Sequence, residues 1–418
     1  MTEKLNILHV VAGNLNLGAA RGALWLHKGM LQNGQNSFLL TNSILSEDYE
    51  NVTSISNTKK EKILNFIKNK IDKSLKNFYF KSKKGIFSSG WIGSDITKLE
   101  VYKKCDIINF HWINNGFINI NLFRKIDKPI VWTIRDMWPF TGGCHYAMEC
   151  DNFITNCGNC IFLNSKNNLD ASRIIHNRKK KFYRNDISIV AISNWLAEQA
   201  KKSDLLKENK IRMIANNIDT NIFFPFDKSI SRNKLEINTE KKIILFGAIN
   251  MNNEWKGFNK LLKAFDHIDR KKYYLCTFGK GETKQISNLG FEVFNFGFIN
   301  NDSTMRLIYS MADVFVAPSL LEAFGKTIVE AMSCGTPVVC FDATGPKDLV
   351  DHKVNGYKAV PFSSKDIANG INWICFHKNY NQIKENAISK AVNNYDNVNI
   401  ALSYIELYKE ILNKNKYE

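Results

Sequence analysis

Two glutamates, Glu322 and Glu330, flank the predicted start of a helix that lies between two predicted strands. Residues 312–319 and 338–341 have the short, continuous apolar character of buried strands, and a helix is predicted to begin at Gly325. Backbone N–H groups at the start of a helix attract anions. We therefore predict that this segment binds a diphosphate with its amides, while the two carboxylates accept hydrogen bonds from sugar hydroxyls.

The residues around these glutamates run from Glu322-Ala-Phe-Gly through Glu330-Ala-Met to Gly335-Thr-Pro-Val-Val. This segment resembles the donor-binding signature of the retaining glycosyltransferases of family 4. A pair of glutamates at this spacing is by itself more typical of a solvated helix, but the flanking strands, glycines and proline favour a binding site. The resemblance implies that Glu322 contacts the transferred sugar near the reacting carbon and that Glu330 holds the ribose. It also implies that the diphosphate is bound by the amides of Phe324, Gly325, Lys326 and Thr327.

Length and charge limit the class of protein. A chain of 418 residues exceeds what one hydrophobic core usually serves, so two domains are expected. The net charge of +17 indicates a basic surface, which suits nucleic acid, anionic lipid or phosphorylated substrates without choosing among them. No apolar run reaches the roughly 18 residues of a membrane span, and Glu3 and Asn6 interrupt any signal-peptide core. We expect a cytoplasmic protein.

Apolar segments with strand character alternate with helical segments along the whole chain, as a doubly wound parallel sheet requires. The first series comprises residues 5–11, 37–40, 107–110, 130–134 and 187–192. The second series comprises residues 243–246, 273–278, 293–296, 314–317 and 338–341. The predicted fold class is α/β with two Rossmann-like domains, and the resemblance implies the GT-B fold, in which the domains face a central cleft. The predicted domains are residues 1–225 and 240–395, with a helix in 396–418 that returns to the first domain.

A glycine loop follows the first predicted strand and contains Gly18 and Arg21. Strand, glycine and helix recur in every nucleotide-binding fold, so tight packing explains the loop about as well as binding does. Within the resemblance, Gly18 approaches the donor phosphate and Arg21 is a candidate for acceptor binding. Leu17 stands where this family usually has a second glycine.

A nucleoside diphosphate that leaves a glycosyl transfer must be neutralised by a metal or by fixed cations and dipoles. The segment Asn252-Asn-Glu-Trp-Lys-Gly257 resembles the family's loop with the diphosphate-binding lysine, which would be Lys256. A solvated surface lysine is the alternative. The arginine that often follows the strand glycine is replaced by Ala248, so a second cation would come from Lys326 or Arg21. We predict that the chemistry uses no catalytic metal.

His111 lies at the carboxyl end of a predicted strand, where an open α/β sheet places its ligand groups. A core histidine bonded to the backbone is the alternative. The resemblance implies that His111 faces the cleft and contacts the donor sugar, and His111, Glu322 and Lys256 together are the predicted catalytic residues. Arg135 follows the next strand, where similar capsule and colanic-acid transferases have histidine. It would bind an anionic acceptor or pair with Asp136.

Four of the nine cysteines fall within residues 141–160, namely Cys144, Cys150, Cys157 and Cys160. Four thiolates with a Cys-Gly-Asn-Cys turn suit a tetrahedral, structural zinc site. A reducing cytoplasm argues against two disulfides, although unliganded thiols or disulfides stay open as alternatives. The loop also resembles a segment of the colanic-acid-like members of family 4.

Residues 59–80 are predicted to form a basic amphipathic helix, because apolar residues recur every four positions and lysines occupy the other faces. Three interpretations compete. The apolar stripe packs on the domain as in an ordinary surface helix, or the helix binds an anionic membrane surface. RNA binding ranks below both, since no recognised nucleic-acid module accompanies the charge.

Together these features predict a retaining enzyme that moves a hexosyl group from a UDP- or GDP-sugar to a hydroxyl of a cell-surface polysaccharide or its lipid-linked precursor. Similar enzymes serve colanic-acid, capsule and O-antigen biosynthesis. The expected location is the cytoplasm or the inner face of the cell membrane, with no nucleic-acid partner. The alternatives are a nucleotide-sugar epimerase with the same fold and a basic membrane or RNA adaptor without enzymatic activity.

Overall fold

The computed structural model of the protein describes residues 4–45, 47–79, 85–281 and 290–417. Contacts within the chain divide these residues into two units. Unit 1 contains the described residues up to Ala215 and those from Ile400 onward, and unit 2 is Asn216–Asn399. The first unit thus ends somewhat before the predicted boundary at residue 225.

Unit 1 is built on a sheet of seven strands, β1 (Asn6–Val11), β2 (Asn36–Thr41), β3 (Val52–Ser54), β4 (Ile107–Phe110), β5 (Ile130–Ile134), β6 (Ser188–Ala191) and β7 (Ile211–Met213). The strands lie in the order β3-β2-β1-β4-β5-β6-β7, and all neighbours are parallel. The helices between them are α1 (Gly18–Gln32), α2 (Lys59–Ser74), α3 (Glu100–Lys104), α4 (Ala171–Phe182) and α5 (Asn194–Lys202). Every residue of β4 and β5 is buried, and all but Asn109 and Thr133 are apolar, which is why these strands read as short apolar runs.

Unit 2 repeats this plan with six parallel strands in the order β10-β9-β8-β11-β12-β13. They are β8 (Lys242–Asn250), β9 (Tyr273–Lys280), β10 (Glu292–Asn295), β11 (Val314–Ala317), β12 (Val338–Phe341) and β13 (Gly356–Ala359). Its described helices are α6 (Lys228–Lys234), α7 (Phe258–Ala264), α8 (Asp302–Met311), α9 (Lys326–Ser333), α10 (Ser364–Cys375) and α11 (Tyr380–Tyr395). Parallel order requires a crossover between successive strands, and helices α7, α8 and α9 supply it after β8, β10 and β11.

The last helix, α12 (Asn397–Tyr417), begins in unit 2 and contributes its residues from Ile400 onward to unit 1. There Tyr404 and Tyr408 are buried in the same apolar core as β1 and α1. Tyr408 Oη accepts a hydrogen bond of 2.6 Å from Asn109 Nδ2 in β4, and Tyr404 Oη lies 3.1 Å from Thr133 Oγ1 in β5. The core of unit 1 therefore includes residues from both ends of the chain.

The two chain segments that pass between the units are bonded to each other inside unit 2. Ile218 N donates to Tyr395 O at 2.9 Å, and Asn397 N donates to Ile218 O at 2.8 Å. The segment that enters unit 2 and the segment that leaves it therefore lie side by side.

Among the described residues, no helix combines the length and the apolar character needed to cross a bilayer.

Candidate active site

Three loops of unit 2 meet at the carboxyl edge of its sheet. They follow β8, β11 and β12, and these strands are neighbours, since β11 pairs with β8 on one side and with β12 on the other. The carboxyl ends of parallel strands are where α/β sheets place ligand-binding groups. The loops contain residues 254–257, 318–325 and 342–348.

The first two loops are in direct backbone contact. Leu320 N donates to Trp255 O at 2.8 Å. Gly257 has φ of 69°, and a Cβ at this position would lie 1.8 Å from Pro318 O. Only glycine allows this approach, because a larger residue would collide with the backbone and would be strained at this φ. The glycine therefore brings the preceding residue, Lys256, to the loop after β11.

Lys256 and Glu322 form an ion pair through Lys256 Nζ and Glu322 Oε2. Their side chains are 32% and 20% exposed, so the pair lies at the surface of the site rather than in the core. The backbone of Glu322 is held from the third loop, since its carbonyl accepts a hydrogen bond of 2.9 Å from Gly345 N. Two residues predicted from separate motifs are thus brought together, with a cation and a carboxylate in contact.

The start of α9 adjoins this pair. Gly325 precedes the first helical residue, Lys326, and has φ of 104°. Phe324 is buried and meets the ring of Tyr395 edge to face, with centroids 5.7 Å apart. Lys326 and Thr327 are only partly buried. The predicted diphosphate-binding amides therefore lie at a helix start that is anchored by an aromatic contact.

Glu330 lies inside α9 and is only 5% exposed. Its Oε2 accepts a hydrogen bond of 3.0 Å from Tyr309 Oη in α8. Its Oε1 is buried and has no hydrogen-bond partner among the described residues. A buried carboxylate oxygen without a partner is costly, which makes this atom an acceptor suited to a ligand hydroxyl. Tyr309 was not identified from the sequence, because nothing in its spacing relates it to Glu330.

Thr344 is a second residue that the sequence analysis missed. It has φ of 50° and ψ of −151°, a conformation that a threonine rarely adopts, and its Oγ1 is buried without a hydrogen-bond partner in the described part of the chain. Strained backbone of this kind concentrates at functional sites. The Gly-Pro pair that follows Thr344, just after a buried strand, is the sequence signal that marks this turn.

In unit 1, His111 follows β4 and is 2% exposed. Its Nε2 lies 3.0 Å from His9 Nδ1, and its Nδ1 lies 3.3 Å from Arg135 Nη2. The guanidinium can only donate, so His111 Nδ1 accepts and its Nε2–H donates to His9. Burial, followed by Arg135 and His9, lowers the pKa of His111 well below 6.5. His111 is therefore a neutral, buried member of a hydrogen-bonded row.

Arg135 is 7% exposed, and burial lowers its pKa to about 10, which leaves it cationic at neutral pH. The neighbouring Asp136 accepts hydrogen bonds from His145 Nδ1 at 2.6 Å and from Trp112 Nε1 at 2.9 Å. His145 in turn lies 3.1 Å from Ser88 Oγ through its Nε2. Two hydrogen-bonded networks therefore lie at the carboxyl edge of this sheet. One joins His9, His111 and Arg135, and the other joins Trp112, Asp136, His145 and Ser88. Only His111, Arg135 and Asp136 were identified from the sequence.

Gly18 and Arg21 are in the first turn of α1. Gly18 has φ of 49°, with open space around the position of a Cβ. Arg21 lies over the ring of Trp25, 4.4 Å from its centroid. Their predicted roles in binding the donor phosphate and the acceptor stay predictions.

The cysteine-rich loop is folded beside a small apolar core that includes Phe87, Cys160 and Cys144. All four cysteines of the loop are unpaired thiols. Burial, followed by the other three cysteines of the loop, raises the pKa of Cys144, and burial raises that of Cys157 to about 12. Among the described residues, no group of three or more His, Cys, Asp or Glu side chains is arranged to hold a metal ion. Zinc stays a prediction.

A fully buried lysine lies against this loop. Lys179 Nζ donates to Trp138 O and, at 3.0 Å, to Thr141 O, and it stands 3.7 Å from the centroid of the Trp138 indole. Burial lowers its pKa to about 7. The lysine lies within a run of basic residues in α4, so no local pattern shows that one of them is internal.

Comparison with known proteins gives this geometry its context. Residues 227–390, which include Lys256 and both glutamates, match the family described as Glycosyl transferases group 1. The chain therefore contains a group 1 glycosyl transferase domain in these residues.

Its relatives agree with that assignment. An uncharacterized glycosyltransferase of Methanocaldococcus jannaschii is 27% identical over 323 residues, covering 73% of this chain and 75% of that protein. The N,N'-diacetylbacillosaminyl-diphospho-undecaprenol alpha-1,3-N-acetylgalactosaminyltransferase of Campylobacter jejuni is 27% identical over 217 residues, or 50% of this chain and 56% of that enzyme. The crystal structure of Anabaena HepE in complex with UDP-glucose matches with a TM-score of 0.64 at 18% identity, over 97% of this chain and 99% of that one. This glycosyltransferase has the GT-B fold, which confirms the predicted fold class.

Proposed function

We propose that this glycosyltransferase is a retaining enzyme that transfers a hexosyl group from a nucleoside diphosphate sugar to a hydroxyl of a polysaccharide or a lipid-linked precursor. The observation that carries the proposal is the Lys256–Glu322 ion pair at the carboxyl edge of β8, β11 and β12, beside the start of α9. A cation and a helix start suit a diphosphate, and a carboxylate suits a sugar hydroxyl.

Each part of the nucleotide sugar would meet a suitable group in unit 2. Lys256 and the amides at the start of α9 would hold the diphosphate, and Glu322 would accept from the sugar. The unpartnered Oε1 of Glu330 would accept from a ribose hydroxyl. Binding of a diphosphate would draw Lys256 away from Glu322, so the carboxylate becomes available to the sugar when the donor arrives.

The proposed reaction is a substitution on one face of the sugar. The bond between the anomeric carbon and the phosphate oxygen breaks, and the bond to the acceptor oxygen forms on the same side, so the configuration is retained. The proton of the acceptor hydroxyl passes to the departing phosphate oxygen. Lys256 and the helix start stabilise the charge that develops on the diphosphate, which assigns the chain the role a metal has in other transferases.

The acceptor and location are proposed from the relatives. The Campylobacter enzyme is named for an undecaprenol-linked diphosphosugar, and we propose an acceptor of the same lipid-linked class at the inner face of the cell membrane. The Anabaena structure is a complex with UDP-glucose, and we propose a UDP-sugar ahead of a GDP-sugar.

The test is a screen of UDP- and GDP-sugars by thermal shift, followed by transfer to a polyprenyl-diphosphosugar with NMR of the anomeric proton. The proposal expects a stabilising donor and a product with the donor's anomeric configuration. An inverted product would contradict retention. An epimerised sugar formed without acceptor would favour the epimerase alternative. Brief exposure to EDTA is expected to leave the rate unchanged, and a loss restored by Mg²⁺ or Mn²⁺ would contradict the role given to Lys256.

A further inference from the structure

Helix α2 of unit 1 is amphipathic in the opposite sense to an ordinary surface helix, because a polar side of the helix faces the protein. Asp72 is fully buried. It accepts hydrogen bonds from Ser89 N at 3.0 Å, Ser89 Oγ at 2.9 Å, Gly90 N at 2.8 Å and Gly116 N at 3.3 Å. A buried carboxylate with four donors fixes the orientation of the helix.

Two more polar residues of α2 attach the same side to unit 1. Asn65 Nδ2 donates to Asn42 O at 2.7 Å, and Lys68 Nζ donates to Ser94 Oγ at 2.9 Å. Next to them, a cavity of about 540 Å³ lies between α2 and the segment around Ile96 and Leu99. The helix is therefore held by polar contacts at positions 65, 68 and 72, which lie on one face because they are spaced by three and four residues.

The opposite side of α2 is apolar and exposed. Phe66 is 63% exposed, Ile63 is 61% exposed, and Phe78 in the following turn is 81% exposed. Ile67 and Ile71 are exposed as well. This arrangement contradicts the interpretation in which the apolar stripe packs on the domain. Phe80 and the side chains of residues 75 and 76 lie outside the described part of the chain.

Lysines surround these apolar side chains. Exposed lysines of α2 are Lys59, Lys60, Lys62, Lys70 and Lys73. Lys70 Nζ lies 5.4 Å from the centroid of the Phe66 ring, so charge and apolar surface are in contact. The two acidic residues of α2 are engaged elsewhere, because Asp72 is buried and Glu61 accepts from Asn57 N and Thr58 N at the start of the helix.

We propose that the outward face of α2, defined by Ile63, Phe66, Ile67, Lys59, Lys62 and Lys70, docks on an anionic lipid bilayer. Apolar side chains enter the boundary between headgroups and acyl chains while the lysines contact anionic headgroups. A second copy of this chain is a poor occupant, since it would bring a second set of lysines against the first. This inference adds a docking surface to the proposed function. The argument for lipid binding stands on the exposed residues of α2, and only the reason for docking, access to a lipid-linked acceptor, rests on the proposed function.

The experiment is sedimentation of the full chain with vesicles of phosphatidylglycerol and phosphatidylcholine, compared with phosphatidylcholine alone, without nucleotide. Binding to the anionic vesicles at low salt and its loss at high salt are expected. Lys59→Glu, Lys62→Glu and Lys70→Glu combined should weaken binding by about 100-fold. The matched control reverses the exposed Lys201, Lys202 and Lys210 and should bind much better than the α2 variant.

A second pair of variants tests the apolar contribution. Phe66→Ser with Ile67→Ser should weaken vesicle binding roughly 10-fold, since both side chains would lose their burial in the lipid. Leu169→Ser with Ile174→Ser, at two other exposed apolar positions, should bind like the unmodified protein. All variants should transfer sugar to a soluble acceptor at the normal rate, which separates docking from the proposed chemistry. Absence of vesicle binding, equal effects of test and control, or an α2-dependent dimer would overturn the proposal.

Discussion

At the scale of single residues, the proposed function rests on the ion pair between Lys256 and Glu322. The two residues are 66 positions apart in sequence, and each came from a separate motif. A bound diphosphate would compete with Glu322 for Lys256, so the two residues are proposed to act on different parts of the donor. Two substitutions separate their roles.

Glu322→Gln removes the negative charge and keeps the shape. We expect a strong fall in kcat with a modest change in donor affinity, because the carboxylate is proposed to act mainly on the transition state. Steady-state kinetics and donor titration measure the two effects separately. An equal loss of binding and turnover would contradict this role. Tyr309→Phe is a useful comparison, since it changes the partner of Glu330 and leaves Glu322 in place.

Lys256→Ala should weaken binding of the nucleoside diphosphate by ~1.5–3 kcal/mol, as expected for the loss of a charged hydrogen bond. Calorimetry with UDP and GDP measures the change, and Lys260→Ala, a lysine one turn into α7, is the control. Unchanged affinity would show that another cation binds the diphosphate. Lys326 would then be the next residue to substitute.

At the scale of elements, much of the fold could be predicted from the sequence. Strands β4, β5, β11 and β12 begin and end where the apolar runs predicted, because strands buried on both faces need no alternation. The strands at three sheet edges were missed, namely β3, β7 and β13. Strands β3 and β7 have three residues each, and their side chains are partly exposed, so no apolar run marks them.

The candidate site was predictable only where a motif places residues close in sequence. The glutamates, Gly325 and the helix start share one segment, and the strand pattern places that segment at the carboxyl edge. The partners Tyr309 and Thr344 come from other elements, and their positions follow from packing that no local pattern encodes. The orientation of α2 was also hidden, because alternation of apolar and basic residues is the same whichever face points inward.

A substitution of Gly257 tests the close contact between the loops that follow β8 and β11. Gly257→Ala should destabilise the protein by roughly 3 kcal/mol or more, since the Cβ would meet Pro318 O and φ is positive. Gly297→Ala isolates the cost of φ alone, about 1 kcal/mol, because φ is 66° there and nothing lies within 4 Å of the added atom. Chemical denaturation compares the two. Similar losses would mean that the loops can separate.

The cysteine loop gives a further element-scale prediction. We expect about one zinc per chain by elemental analysis, and Cys157→Ser should lower stability more than it alters substrate preference. Binding would require the thiols to lose their protons, which the buried loop opposes without a cation. A fully stable protein that contains no metal would refute the zinc site. Cys276→Ser, at a buried cysteine outside the loop, is the control.

At the scale of the whole molecule, acid should destabilise unit 1. Burial lowers the pKa of His27 and of His176 to about 4, and it lowers the pKa values of His9 and His111 well below 6.5. The unfolded chain therefore binds more protons than the fold below pH 6.5, and stability falls as the pH drops from there towards 4. Each of His27 and His176 accounts for roughly 3 kcal/mol.

Unfolding followed by tryptophan fluorescence measures this loss, since Trp25, Trp132 and Trp138 are buried in unit 1. Substitution of His27 by Gln should make stability depend less steeply on pH between 6.5 and 4. A flat profile in the unmodified protein across that range would contradict the assignment of neutral buried histidines.

The return of α12 to unit 1 has a consequence for synthesis on the ribosome. Unit 2 is inserted between two parts of unit 1, and its entry and exit segments are bonded to each other. The strands of unit 1 emerge first, but Tyr404 and Tyr408, which fill its core and bond to Asn109 and Thr133, are translated after all of unit 2. Unit 2 can therefore complete its fold while the nascent unit 1 still has an open core. The part of the chain that is synthesised first, unit 1, therefore completes its fold last. Its exposed core is what a chaperone would meet during translation.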